Sequence, residues 1–363
     1  MTMQAAPSAR SWSRRRVFIT GHTGFKGSWL VQWLSHWGAE IRGYSLEPDT
    51  DPSMFRVLGL ARQCDHIVGD VRDADRLAKA LADFDPEIVF HMAAQSLVRR
   101  SYREPVDTFA TNLMGTVNLL EATRKLRSLK MIVVVTTDKC YENLETGRPM
   151  QETDPLGGHD PYSASKACTE LAAGAYRSAF FAQDGGPHLV TVRAGNVIGG
   201  GDWSEDRLLP DAARSFSAGR SLQVRNPDAV RPWQHVIDAL AGYLLVVDHV
   251  LAGNPCPDAL NFGPPEHAVY SVRRVVEAFK SAWNKDAKVI YQAEAGAPRE
   301  ATTLLLDSTR ANRLLGWRPH LDLDRAVALT AAWYRQYYEG ANPAKMKEIT
   351  TSQIDSLLAT AQV

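Results

Sequence analysis

Two short groupings in this 363-residue chain carry residue types suited to moving protons: Thr137-Asp138-Lys139, and Tyr162 with Lys166 four positions later. Tyrosine and lysine at i and i+4 share one face of a helix. A cation beside a phenol lowers its pKa and favours a phenolate near neutral pH. Such a group can remove a hydroxyl proton while a neighbouring acceptor takes hydride from the same carbon. A Tyr-x-x-x-Lys pair alone is common by chance, and its weight comes from a second motif upstream.

That motif is VFITGHTGFKGSWL, at 17–30. Val17-Phe18-Ile19 reads as a buried parallel strand, and Gly21, Gly24 and Gly27 follow at three-residue spacing. Trp29, Leu30, Trp33, Leu34 and Trp37 then recur at helical intervals. Strand, glycine turn and helix together place a phosphate on the first amides of the helix. The glycines supply a tight turn, close backbone approach and close helix–strand contact.

These groups need a scaffold, and the hydrophobic pattern provides one. Strands are expected at 41–45, 66–70, 88–92, 131–135 and 189–193, alternating with helices at 73–83, 105–126 and 162–181. Continuous apolar strands that alternate with helices predict an α/β fold with a doubly wound, Rossmann-type parallel sheet. Residues 15–195 would form this dinucleotide-binding domain, with a returning segment near 230–263. Beyond Arg193 the rhythm breaks: helices at 235–250, 271–283, 308–315 and 323–338 surround strands at 260–262 and 288–291. Segments 196–229 and 264–342 are expected to form a smaller α/β substrate-binding cap over the carboxyl ends of the strands. Residues 1–14 and 343–363 are expected to be tails, and the polar stretch after 342 is given no role.

Composition narrows the partners. Forty-one basic residues balance 41 acidic ones, so no global charge attracts nucleic acid or an anionic membrane. The four cysteines are far apart, with no CxxC pair and no metal-ligand spacing. Reduced thiols in a cytoplasm are therefore expected, and no metal site. No apolar run approaches the ~18 residues of a membrane span. Residues 1–16 are rich in Ser and Arg without an apolar stretch, which predicts a disordered tail and not a signal peptide.

Taken together, Gly21/Gly24/Gly27, Asp70-Val71, Ala93-Ala94-Gln95, Asn112, Thr137-Asp138-Lys139, Tyr162 and Lys166 resemble the extended short-chain dehydrogenase/reductases that act on nucleotide sugars. The resemblance covers 15–340. The strings GYSLEP, LVRRSYREPVDTFATN, TTDKCYEN, DPLGGHDPYSASK, RAGNVIGGGDWSEDRLLPD and NPDAVRPWQHV resemble most the branch that dehydrates a cytidine diphosphate glucose for deoxysugar and surface-polysaccharide synthesis. It implies NAD as cofactor, held by Gly21, Thr23, Gly24, Phe25, Lys26, Gly27, Asp70, Val71, Ala93, Ala94, Gln95, Asn112, Thr136, Tyr162 and Lys166. Asp70 would accept the adenine amino group. It also implies that Tyr162, helped by Thr137 and Lys166, takes the sugar 4-hydroxyl proton, that Lys139 removes the C5 proton, and that Asp138 protonates the departing 6-hydroxyl. Ser96, Asn196, Arg207, Arg231 and Arg299 would hold the substrate. Relatives pair their two long helices, here 105–126 and 162–181, into a four-helix homodimer interface.

Two departures limit this reading. The position after the second strand, usually acidic in dinucleotide folds, is Tyr44-Ser45 with Glu47 beyond it; with no arginine following directly, NAD is favoured over NADP. The segment between Asn143 and Asp154, usually aromatic-rich in the family, reads LETGRPMQET. The alternatives left open are a UDP-N-acetylhexosamine 4,6-dehydratase and a non-catalytic NAD-binding regulator. Trp203, Trp233 and His235 are read as packing residues.

Overall fold

In the computed structural model, which describes residues 5–183, 185–265, 268–284, 286–292 and 303–360, the apolar runs become seven parallel strands. They are β1 (Arg16–Thr20), β2 (Glu40–Ser45), β3 (Asp65–Val68), β4 (Ile88–His91), β5 (Met131–Val135), β6 (His188–Ala194) and a seventh, Ala259–Phe262. Their order is β3-β2-β1-β4-β5-β6 followed by the seventh strand on the β6 side. The connections diverge between β1 and β4, and that reversal is where such sheets open a ligand crevice.

Alternation along the strands feeds two cores. Val17, Ile19, Phe90 and Val133 face α1 (Phe25–His36) and the helix Val236–Leu251. Phe18, Val89, Ile132 and Val134 face the helices Ala74–Ala82, Gly115–Thr123 and Pro161–Tyr176. β4 and β5 are buried throughout, as strands covered on both faces must be. The two long helices are less regular than their periodicity predicts. Pro105–Phe109 and Gly115–Thr123 are joined by a wider π turn, Ala110–Met114, and Pro161–Tyr176 ends in another, Arg177–Phe181.

The cap contains Leu208–Ser217, a helix that sequence reading missed, packed through Phe216 on Phe279 of Val272–Trp283. Val289–Tyr291 pairs in parallel with Leu222–Val224.

Both expected tails are corrected by the structure. Pro343–Thr360 is a helix that buries Met346, Ile354 and Leu357. Thr351 Oγ1 accepts a hydrogen bond from Gln32 Nε2 on α1 (2.9 Å) and Thr350 Oγ1 one from Trp333 Nε1 (2.9 Å). The buried stripe includes Thr350 and Gln353, which is why it read as polar. At the other end Trp12 is fully buried and stacks on Phe90 (6.1 Å), and Asp248 accepts from the Ser8 amide (3.1 Å). One tryptophan in a Ser/Arg-rich segment was the signal for that anchoring.

Truncating Ile354 to alanine should therefore cost about 2–5 kcal/mol in urea unfolding; a loss near zero would mean the last helix does not pack. Acid lability is a second expectation. Burial pushes His22, His91 and His235 down to about 3, aided at His22 by His66 and at His91 by Lys166. The unfolded chain binds protons near ~6.5 that the folded one refuses until about 3. Stability should then fall as pH drops through that window, by at most about 1.4 kcal/mol per pH unit per histidine. Burial raises Asp248 to about 6 and also lifts Glu152, Asp211 and Asp238, which opposes the histidines at the acid end of that window. A stability profile flat from pH 7 to 4 would contradict it.

Candidate active site

The glycine turn sits at the switch point between β1 and β4. Gly21 adopts φ +72, and a Cβ there would lie 2.6 Å from the Ala93 amide nitrogen; at Gly27 it would lie 2.2 Å from Gly21 O. Both glycines are packing requirements of turn and sheet. Gly24 differs. It is the N-cap of α1, no side chain caps the helix, and a Cβ would meet only Gly21 O at 3.4 Å. Protein packing does not demand glycine there, whereas an anion on the free amides of Phe25, Lys26 and Gly27 would. The residues present therefore fit a dinucleotide diphosphate. Thr23 Oγ1 bonds Ser45 Oγ (2.8 Å) and Leu46 O (2.9 Å), so hydroxyls occupy the place of the usual ribose-binding acid. Glu47 pairs with Arg56 (3.5 Å).

The acid–base residues converge at the ends of β5 and the following helix. Asp160 caps that helix by accepting from the Ser163 amide (2.9 Å), with Pro161 in its first turn, so Tyr162 and Lys166 fall on one inward face. Thr137 Oγ1 donates to Asp138 Oδ1 (3.0 Å) and accepts from the Lys139 amide (3.3 Å). Lys139 Nζ lies 3.7 Å from the same Asp138 oxygen. Asp138 is 2% exposed, and its Oδ2 is buried without a partner. An orphaned carboxylate oxygen is costly unless something arrives to bond it.

Burial pushes the Tyr162 hydroxyl up to about 12, against downward pulls from its hydrogen bond with Thr137 and from Arg207. Lys166, expected to lower the phenol, is not among the groups that do. Its Nζ donates to Val135 O (3.1 Å), and burial lowers the amine itself to about 8 against the opposing Glu170 and Cys140. Lys26 shows a further difference. Its Nζ donates to Tyr243 OH (3.0 Å), and burial, then Lys166 and Arg207, lower it to about 7. Tyr243 carried no sequence signal.

Other expected residues separate into structural and accessible ones. Asn112, in the π turn, accepts from the Gln95 amide (2.8 Å) and donates to Ser165 Oγ (2.8 Å). The Gln95 side chain bonds Thr108 Oγ1 (2.9 Å) and the Leu97 backbone, so both residues hold the β4 exit in place. Ala94 belongs to that exit, and Val71 is buried against Gly115. Asp70 is chelated by the Arg72 guanidinium, which holds its carboxyl below the usual range. Thr136 gives its hydroxyl to Glu170. Phe25 approaches Gly199 in the glycine-rich segment.

Asn196, Arg207 and Arg231 line one cavity of ≈ 150 Å³ between sheet edge and cap, with Asp202, Asp206, Asn226 and Trp233. Asn196 Oδ1 and Trp233 Nε1 are buried there without partners, and Arg207 Nη2 donates to Ser96 O (3.3 Å). Arg299 lies outside the described residues. Trp203 packs among Trp333, Tyr334 and Tyr337, and His235 caps its helix through Ile237 N while packing on Trp29. Glu170 and Arg193, a buried ion pair at 2.8 Å, were missed. Glu170 four residues past Lys166, and a charge on an apolar strand, were the available signals.

A CDP-glucose 4,6-dehydratase of Salmonella typhimurium is 44% identical over 91% of this chain and 93% of its own. The solved dTDP-glucose 4,6-dehydratase of Streptomyces venezuelae, with NAD and TYD bound, superposes with a TM-score of 0.74 at 25% identity over 88% of this chain and 97% of its own. The UDP-glucose 4-epimerase of Thermotoga maritima shares the fold, with a TM-score of 0.77 at 23% identity over 89% and 99%. Residues 18–330 match the sequence model of the GDP-mannose 4,6 dehydratases, and the chain belongs to that family.

Proposed function

We propose that this chain dehydrates CDP-glucose to CDP-4-dehydro-6-deoxyglucose, with NAD as a cofactor that is regenerated in each turnover. The carrying observation is the acid–base pair itself: Asp138, with one oxygen free and buried, sits beside Lys139 and is bonded through Thr137 toward Tyr162. An epimerase would have no elimination for that pair to perform. The Salmonella relative supports the cytidine nucleotide.

NAD, when bound, would supply the hydride acceptor for sugar C4 and the hydride donor for C6. Tyr162 accepts the O4 proton, with Thr137 bonded to its hydroxyl and Arg207 adding positive potential. Ketone formation at C4 acidifies C5–H, and Lys139 receives that proton. Asp138 protonates the departing 6-hydroxyl, which leaves as water. Lys166, anchored on Val135 O, holds positive charge behind the phenol. Asn196, Arg207 and Arg231 would carry the diphosphate, a task that suits the arginine fork.

The apolar residues Val106, Met114, Leu171 and Phe180 are exposed on the two long helices. They support pairing of two copies through those helices, as a homodimer. The four cysteines are free, which supports a reducing cytoplasm. No helix among the described residues is long and apolar enough to cross a membrane.

Incubation with NAD and CDP-glucose should yield a sugar nucleotide lighter by one water, without net NADH, by mass spectrometry. dTDP-glucose, GDP-mannose and UDP-N-acetylglucosamine should stay intact. Turnover of the UDP sugar instead would keep the chemistry and discard the cytidine assignment, while no turnover with any would overturn the proposal. Asp138→Asn should lower kcat by about 10²–10⁴-fold with KM held, and an unchanged rate would remove Asp138 as the acid. Leu171→Asp should shift the sedimenting species from dimer to monomer; a wild-type profile would place the contact elsewhere.

A further inference from the structure

The strongest unassigned feature is the buried network behind the acid–base residues. Arg193, on β6, meets Glu170 in a two-pronged pair: Nε to Oε1 at 2.9 Å and Nη2 to Oε2 at 2.8 Å. The two side chains are 5% and 3% exposed. Each carboxylate oxygen accepts a second bond, Oε1 from Thr136 Oγ1 and Oε2 from Thr191 Oγ1 (2.6 Å). Arg193 Nη1 donates to Tyr141 OH (2.8 Å) and to Glu152 O (3.1 Å), with the guanidinium 4.9 Å from the Tyr141 ring centre. Tyr141 OH in turn donates to Asn261 Oδ1 (2.7 Å), and Asn261 Nδ2 donates to Met150 O (2.9 Å).

A buried ion pair gains little net stability over apolar residues of the same volume. What this one gains is placement, because every bond it makes beyond itself goes to a specific element. Two of those bonds fall on Thr136 and Tyr141, the residues immediately flanking the segment 137–140.

We infer that Glu170 and Arg193 are positioning residues: their pair grips the segment 137–140 at both ends and sets where Asp138 and Lys139 stand relative to Tyr162. Neither touches the reacting atoms. Thr136 ties the entry of the segment to the helix that carries Tyr162, and Tyr141 ties its exit to β6 and, through Asn261, to the seventh strand. The loop 144–153 is anchored in the same network through Met150 O and Glu152 O. The pair therefore couples the group that takes the O4 proton to the groups that eliminate across C5–C6. That chemical consequence rests on the dehydratase proposal; the gripping of the segment does not.

The test spares the ion pair, since removing either partner would leave a buried charge. Tyr141→Phe releases the exit of the segment, Thr136→Val its entry, and Thr191→Val takes a bond from the same carboxylate without touching the segment. In the purified enzyme, amide hydrogen exchange across 137–142 should rise in the first two and stay at wild type in the third. With NAD and CDP-glucose, the first two should lose about 10-fold in kcat, a fraction of what a 1 Å misplacement costs, at KM within twofold. NADH absorbance should build up during turnover, as oxidation outruns elimination. Wild-type exchange across 137–142 in both segment variants would overturn the inference, as would the same kinetic change in Thr191→Val. If the wild type dehydrates no sugar yet the two variants loosen 137–142, the dehydratase proposal fails and the positioning role stands.

Discussion

Strand polarity is the constraint on which the rest depends. All seven strands run in one direction, so their carboxyl ends form a single edge, and a parallel sheet must be covered by helices on both faces. That leaves the edge as the place where loops can meet a ligand. The turn after β1 brings Gly21 to Gly24 there. The exits of β2, β4, β5 and β6 bring Ser45, Ala93 to Gln95, Thr136 to Lys139 and Asn196. The cap closes over the same edge and encloses the cavity that Asn196, Arg207 and Arg231 share.

Charge at this edge is held against a large desolvation cost. Lys26 and Lys166 are buried amines lowered to about 7 and about 8, chiefly by burial, and Lys166 is among the groups that lower Lys26. Lys26 is partnered by a neutral tyrosine hydroxyl and that ring's face. A nearby anion favours the protonated form of such amines, so this edge is electrostatically matched to a diphosphate. The orphaned oxygens of Asp138 and Asn196 are acceptors, matched to hydroxyl or amide donors and not to the anion itself.

Much of this was legible in the chain. The strands were readable because a strand buried on both faces must be continuously apolar, and β5, MIVVV, is the plainest case. The acid–base residues were readable because their types are unusual at strand and helix ends. What was not legible depends on tertiary neighbours. Nothing local tells that Thr136 spends its hydroxyl on Glu170, or that Lys166 turns to Val135 O and not toward the phenol. Asp70 was placed at the right strand end, but the arginine two residues later claims it. The cap helix Leu208–Ser217 escaped notice because it carries Pro210 in its first turn and lacks a side-chain cap.

The helix Pro343–Thr360 has a consequence for how the molecule is made. It lies against α1, which a ribosome completes roughly 15–60 s earlier at ordinary elongation rates. Through that interval α1, with its apolar face toward the future partner, emerges and waits without its last neighbour. The dinucleotide half therefore cannot reach its finished form as synthesis proceeds from the amino end. Its final packing step is a long-range closure between the first helix of the sheet and the helix Pro343–Thr360, and the topology makes completion of the cofactor-binding half wait for synthesis of that distant segment.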